Sequence, residues 1–246
     1  MKQISVLGCM IALVFLTFAK RPLETSALYP IVENQRWGFV DAEGRVVVTP
    51  QFIFAGDFHE GLASVRIGRT HEFKEGYIDI TGRLVIEANL DGSGDFSEGL
   101  AVMARGNKYG YIDRNGKSAI SPQFEDASAF SQGVALIKSG GRFGFIDKSG
   151  EIKIRPQFVI ARSFHEGLAA AIILEAGELR TGYIDKTGKW ILSPKFTVAG
   201  DFSEGLAVVG TGGEAHRGED QAVLLSGNIK YSVIDGWGPC YFKRIL

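Results

Sequence analysis

Acidic side chains recur along this sequence in a pattern that invites a chemical reading. Asp41, Asp79, Asp113, Asp147 and Asp185 each close a Gly, aromatic, Val or Ile triplet, and a second series, Glu60, Glu98, Glu166 and Glu204, is interleaved with them, with Gln132 at the remaining place. Carboxylates that converge in pairs can hold Ca²⁺ or cleave a glycosidic bond, because both chemistries need two acids aimed at one point. These acids instead recur once per unit, each beside a glycine, where a carboxylate has a local task in capping a turn. Gln132 in the second series argues that polarity, not charge, is required there. His59 and His165 stand where the other copies carry Ser97, Ser131 and Ser203, which suits a surface position. No His pair has zinc-ligand spacing, and no nucleophile elbow, phosphate loop or dinucleotide fingerprint is present. We therefore expect no catalytic residue, no metal ligand and no cofactor.

The elements that position these residues follow from two motifs kept in one register. Gly, aromatic, Val or Ile, Asp, two variable residues, Gly begins at Gly38, Gly76, Gly110, Gly144 and Gly182, at spacings of 38, 34, 34 and 38 residues. Phe, two residues, Gly, Leu or Val, Ala begins at Phe58, Phe96, Phe130, Phe164 and Phe202 with the same spacings. Between them stands Pro-x-Phe, at Pro50, Pro122, Pro156 and Pro194; the second copy has Ala88, Asn89 and Leu90 instead, which predicts a looser corner there. Asp followed three residues later by Gly, with apolar residues on both sides, predicts a β-hairpin. The Phe motif predicts an apolar anchor, a glycine turn and the start of another strand. Tyr77, Tyr111 and Tyr183 share one strand position with Phe39 and Phe145. That exchange marks a buried ring rather than an exposed row for stacking sugars.

The fold class is therefore all-β: five three-stranded meander units of about 36 residues over 30–209, each too small to fold alone and stabilised by stacking on its neighbours. Units this short favour an open superhelical stack, with a closed propeller-like ring as the alternative. Another copy is due near position 216 or 220, but Arg217-Gly218-Glu219-Asp220 lacks the apolar pair. Residues 210–246 are accordingly read as a divergent C-terminal cap or a poorly ordered tail.

Ahead of the repeats, the apolar run from Ile4 to Ala19 has the length of a signal-peptide core. Residues 1–19 are expected to be a signal peptide cleaved after Ala19, or alternatively after Ala27, followed by a short linker over 20–29. An uncleaved anchor ending at Lys20 and Arg21 is the other reading, and only that one would bring the chain to a membrane. Localisation outside the cytoplasm (periplasmic, secreted or cell surface) follows. With 27 basic and 28 acidic residues, no basic stripe points to nucleic acid. Loss of Cys9 with the leader leaves Cys240 alone, so no disulfide framework or cysteine metal site can form within one chain.

The repeat resembles the bacterial WG-repeat family, whose units centre on an aromatic-Gly pair followed by aromatic, Ile, Asp. Here the pair is Trp37-Gly38, Tyr109-Gly110 and Phe143-Gly144, whereas Glu75-Gly76 and Thr181-Gly182 depart from the family at its namesake position. The resemblance covers roughly residues 30–209 and implies a β-rich repeat architecture without an established activity.

These observations point to a noncatalytic interaction module for a protein or envelope component; a cell-wall glycan hydrolase or carbohydrate-binding protein and a structural spacer are the alternatives. Its recognition face is predicted from length variation. From the Phe-motif glycine to the next opening glycine the count is 15, 11, 11 and 15, which puts four extra residues in two equivalent connections. Long loops on one side of an array often carry binding. Arg69, His71, Phe73, Glu175 and Arg180 are the candidate binding residues. The turn assignment has its own test: Asp113→Asn is expected to be mild, while Gly116→Ala costs about 1 to 2 kcal/mol by forcing a β-carbon into left-handed space, both read from urea-denaturation midpoints.

Overall fold

The computed structural model describes residues 27–69, 71–217, 223–235 and 243–244. The expected signal peptide lies outside the described residues, as does most of the expected linker. Every regular element among the described residues is a strand. The first sheet is a meander of β1 (Tyr29–Glu33), β2 (Arg36–Val40) and β3 (Val46–Phe52). The second places a two-residue strand in front of the same meander: β4 (Phe54–Ala55), β5 (Leu62–Arg69), β6 (Glu72–Asp79) and β7 (Leu84–Leu90). The third is β8 (Gly92–Ser93), β9 (Leu100–Arg105), β10 (Lys108–Asp113) and β11 (Ser118–Phe124), and the fourth is β12 (Asp126–Ala127), β13 (Val134–Ser139), β14 (Arg142–Asp147) and β15 (Ile152–Phe158). The fifth is β16 (Ile160–Ala161), β17 (Ala169–Glu175), β18 (Glu178–Ile184) and β19 (Trp190–Phe196). The three strands expected per unit are thus three long ones, and the segment after each Pro-x-Phe corner adds a short fourth.

A sixth sheet completes the array. It begins with β20 (Val198–Ala199) and β21 (Leu206–Thr211), is interrupted by the hairpin β22 (Glu214–Arg217) and β23 (Val223–Ser226), and resumes with β24 (Lys230–Asp235) and β25 (Lys243–Arg244). The copy sought near position 216 or 220 is displaced by this inserted hairpin. Lys230-Tyr231-Ser232-Val233-Ile234-Asp235 pairs with β21 in the same register in which Lys108–Asp113 pairs with β9, and Ser232 stands in the glycine's place. Strand packing runs between successive sheets, and the arrangement is open.

Each corner has a steric cause. Tyr109 pairs with Phe124 and Tyr111 with Ile120, so β11 fits two more residues than β10 over the same span and bulges. Pro122 sits in that bulge, where a residue without an N–H loses no ladder bond. The bulge presses its backbone onto the central strand: a Cβ on Gly110 would lie 2.4 Å from the Ile120 carbonyl oxygen. Only glycine fits, which explains why the five bulged sheets all keep it while the aromatic before it varies. The second sheet makes the same bulge without proline, with Glu75 opposite Leu90 and Tyr77 opposite Ile86, so the register of its corner is that of its neighbours.

Sheets meet through rings. The aromatic residue of each central strand packs on the Phe of the next unit's turn motif, with centroids 4.8 Å apart for Phe39 and Phe58, 4.9 Å for Tyr77 and Phe96, and 4.8 Å for Tyr111 with Phe130, Phe145 with Phe164 and Tyr183 with Phe202. Around each pair lie branched residues from both sheets, such as Ile120, Ile137 and Ile146 beside Tyr111 and Phe130. The Asp-turn glycine closes the seam on the other side of its sheet: a Cβ on Gly116 would meet Ile86 of the preceding sheet at 3.0 Å, on top of its positive φ of 77°. Phe130 is 1% exposed. Phe130→Ala is expected to cost about 3 to 5 kcal/mol, the range for a buried Phe; an unchanged chemical-denaturation midpoint would contradict the seam.

Candidate functional site

The acids that could have done chemistry are occupied. Asp113 Oδ1 accepts hydrogen bonds from the amides of Asn115 and Lys117, each at 2.9 Å, and the other four turn aspartates accept the corresponding pair. In three turns a hydroxyl adds to this: Thr81, Ser149 and Thr187 donate at 2.6 Å to Asp79, Asp147 and Asp185. Those hydroxyl bonds are the largest reason why the three carboxyls sit below the ordinary aspartate range, Asp147 at about 2. A carboxylate so stabilised is a poor general acid at neutral pH.

The second acidic series tethers one unit to the next. Glu60, Glu98, Gln132, Glu166 and Glu204 all have positive φ, between 51° and 56°, in two-residue turns whose following glycine is also left-handed. This is the type I′ geometry of tight hairpins. The first four of these side chains reach the equivalent turn one unit on: Glu60 accepts from the Gly99 amide at 3.0 Å, Glu98 from Gly133 at 3.0 Å, Gln132 from Gly167 at 2.9 Å and Glu166 from Gly205 at 2.8 Å. An accepting oxygen suffices, which is why glutamine serves in the third. Ser97 and Ser131 add bonds to the Phe130 and Phe164 carbonyls, while His59 faces Asp95 at 3.4 Å. The recurring tyrosines are fully buried, their hydroxyls donating to the carbonyls of Gly94, Ser128 and Gly200 at 2.5, 2.8 and 2.7 Å. Burial pushes all three phenols well above their usual pKa. Among the described residues, no group of three or more His, Cys, Asp or Glu could hold a metal ion.

The candidate binding residues lie on two lengthened hairpins. The four extra residues do not form a loop; they extend the ladder, so β5 and β6 pair from Leu62 with Asp79 out to Arg69 with Glu72, and β17 and β18 out to Glu175 with Glu178. Arg69, His71 and Glu175 are exposed at the tips; Phe73 and Arg180 are half-buried, Arg180 in an ion pair with Glu178. The two hairpins differ in surroundings. β22 packs on β18, burying Leu179 and Ala215 against Val159, so the fifth sheet's extension supports the inserted hairpin. The extension of the second sheet carries no such cover in the packing of the described strands.

Both lengthened units lack the aromatic before glycine, and a cleft opens at each vacancy. One, of about 340 Å³, lies between the fifth and sixth sheets, where Thr181 meets Ile172, Ala161 and Val198. The other, of about 500 Å³, lies between the second and third sheets and is lined by Arg66, Phe73, Glu75, Asp91, Ser93 and Tyr109, among others. Glu75, 4% exposed, accepts from Arg66 Nε at 2.6 Å and from Ser93 Oγ at 2.7 Å. The Arg66 guanidinium lies 5.0 Å from the Phe54 ring centroid and 4.8 Å from that of Phe73. Of this cluster, only Phe73 was among the residues expected from sequence. The available signal was an acid at an aromatic position, with an arginine nine residues before it on the paired strand.

Stacked four-stranded antiparallel sheets tied by equivalent turns define a β-repeat module. The chain belongs to the family of WG containing repeats, which matches residues 37–69, 76–109, 109–142, 143–173 and 182–214. No curated protein matches it. Among solved structures it is similar to prolyl oligopeptidase B from Galerina marginata bound to a hydrolysis and macrocyclization substrate, at 12% identity and a TM-score of 0.40, over 74% of this chain and 31% of that one. It is also similar to the extracellular domain of a protein described as a hybrid two-component system from B. thetaiotaomicron, at 10% identity and a TM-score of 0.33, over 82% of this chain and 35% of that one. The chain thus spans about a third of each.

The capped aspartates predict acid lability with a defined sign. A carboxyl whose folded pKa lies below the unfolded value, about 3.9, contributes stability that is complete above that value and is lost as pH falls toward the folded pKa. Thermal midpoints are expected to hold near neutrality and fall from about pH 4 downward. Ser149→Ala should raise the Asp147 carboxyl pKa, read by NMR titration.

Proposed function

We propose that the chain is a noncatalytic interaction module acting outside the cytoplasm, and that it engages a protein or an envelope component through the extended β5–β6 hairpin. The observation that carries this reading is the contrast between the two lengthened hairpins. An insertion that supports β22–β23 has a structural purpose in the fifth sheet, whereas the same insertion in the second sheet projects Arg69 and His71 with no described strand packed across it. Glu175 and Arg180, on the covered hairpin, contribute less to recognition in this reading than Arg69, His71 and Phe73. Export rests on the apolar run from Ile4 to Ala19. The recurring acids support a role without catalysis, since the five aspartates cap turns and Glu60, Glu98 and Glu166 make inter-unit bonds.

The test is a pull-down of the chain beginning at Lys20 against envelope extract. Its partner experiment replaces Gly68–Phe73 by the Gly106-Asn107 turn of the third sheet, which restores the short spacing without disturbing the fifth sheet. The grafted protein is expected to fold with an unchanged circular-dichroism spectrum and to lose the captured partner. Equal capture by parent and graft would move recognition elsewhere, and no specific capture by the parent would favour the spacer.

A further inference from the structure

The five repeats act as internal controls for one another, and one cluster departs from all of them at once. At the position before the bulge glycine, Trp37, Tyr109 and Phe143 show that the fold accepts an aromatic ring, yet the second sheet holds the buried acid Glu75. At the second residue of the short strand, Ala55, Ala127, Ala161 and Ala199 show that the fold accepts a methyl group, yet the third sheet holds Ser93, whose hydroxyl donates to Glu75. A charge taken out of water is costly, and exchanging a buried ion pair for packed apolar groups is commonly neutral or stabilising. The neighbouring units have that apolar version. Stability therefore gives no reason for Glu75, Ser93 and Arg66 to be here together, and they line an open cleft of about 500 Å³.

We infer that this cleft between the second and third sheets is a binding site for a neutral saccharide, a deepening that rests on the interaction-module reading above. The charges cancel: Arg66 is paired with Glu75, and Lys74 with Asp91. A charged ligand would therefore meet a lining with no net charge and gain little Coulomb attraction from it. The hydrogen-bonding capacity is not used up, because a carboxylate offers about four acceptor sites and a guanidinium five donors, while Glu75 accepts two bonds and Arg66 donates one of them. Donors and acceptors side by side match a hydroxyl group, which is both. Arg66 is held in place between the Phe54 and Phe73 rings, so little side-chain freedom is lost on binding. Tyr109, half-buried on the opposite wall, supplies an aromatic surface for the C–H face of a sugar ring.

The experiment returns the cleft to the repeat's own pattern. The double variant Glu75→Tyr, Ser93→Ala should fold and melt at or above the parent's temperature. Parent and variant are probed on a microarray of neutral and acidic oligosaccharides beside a peptide array, and the best parent binder is titrated by calorimetry. The parent is expected to bind neutral oligosaccharides, and the variant to bind them roughly tenfold to a hundredfold more weakly, the loss of one or two hydrogen bonds to charged groups. Glu75→Gln, which keeps the shape, gives the same comparison if the double variant does not fold. Equal saccharide binding by parent and variants would overturn the site but leave the module reading standing. Binding to peptides alone, or to acidic sugars alone, would overturn the ligand class, and binding to neither array would overturn the inference, while the pull-down separately decides the module reading.

Discussion

The structure depends on one contact made five times: the ring at the centre of each sheet resting on the Phe of the next unit's turn. A four-stranded sheet of short strands has two faces and too little area to bury either one alone. Setting the ring of one unit against that of the next finishes a core that neither completes by itself, so sheet formation and stacking become one event. An aromatic pair adds about 0.5 to 1.5 kcal/mol beyond its buried area. Its greater effect here is geometric, because a fixed centroid separation repeats the same offset at every seam.

The polar groups that recur in every unit are arranged around that seam. The Asp turn brings its glycine close enough to touch the preceding sheet, and the Glu or Gln turn hands an oxygen to the amide of the following turn. Where the central ring is tyrosine, its hydroxyl reaches a carbonyl of the next unit and keeps the buried phenol satisfied. The residues with the most chemical appearance are therefore the most structural ones. Their regularity is the physical clue: a group needed at every seam must recur, whereas a ligand site needs to exist only once.

Function is accordingly sought in departures from the pattern, and two of them coincide. The second and fifth sheets both extend their central hairpin and both give up the aromatic before glycine. In the fifth, the extension carries the inserted β22–β23 hairpin, and the cleft at the vacancy is lined largely by apolar side chains. In the second, no described strand covers the extension, and the vacancy holds the buried Glu75 carboxylate paired with a half-exposed Arg66 that lies between two aromatic rings. The same change in sequence therefore has two outcomes, set by what packs against it.

Repeat length, register, the all-β class, the Asp and Phe turns and the burial of the Tyr and Phe row could be read from residue spacing, because turn chemistry and apolar alternation act over a few residues along the chain. Even the substitution of Gln132 announced that an acceptor, and not a charge, was needed. Three features required the folded molecule. The short fourth strand is two residues long and has no periodicity of its own, so its pairing is visible only across the sheet. The sixth copy, Lys230–Asp235, is separated from its partner β21 by an inserted hairpin, which breaks the spacing on which repeat detection relies. The cleft between the second and third sheets joins Arg66, Glu75, Ser93 and Tyr109 from two units, and the lengthened connections proved to be ladder extensions, one packed on the inserted hairpin and one without a described strand across it. Sequence by itself determined the unit and its period, since those are local; which departures from the unit meet in one place was decided by the stacking of one sheet on the next, because that contact is made between residues far apart in the chain.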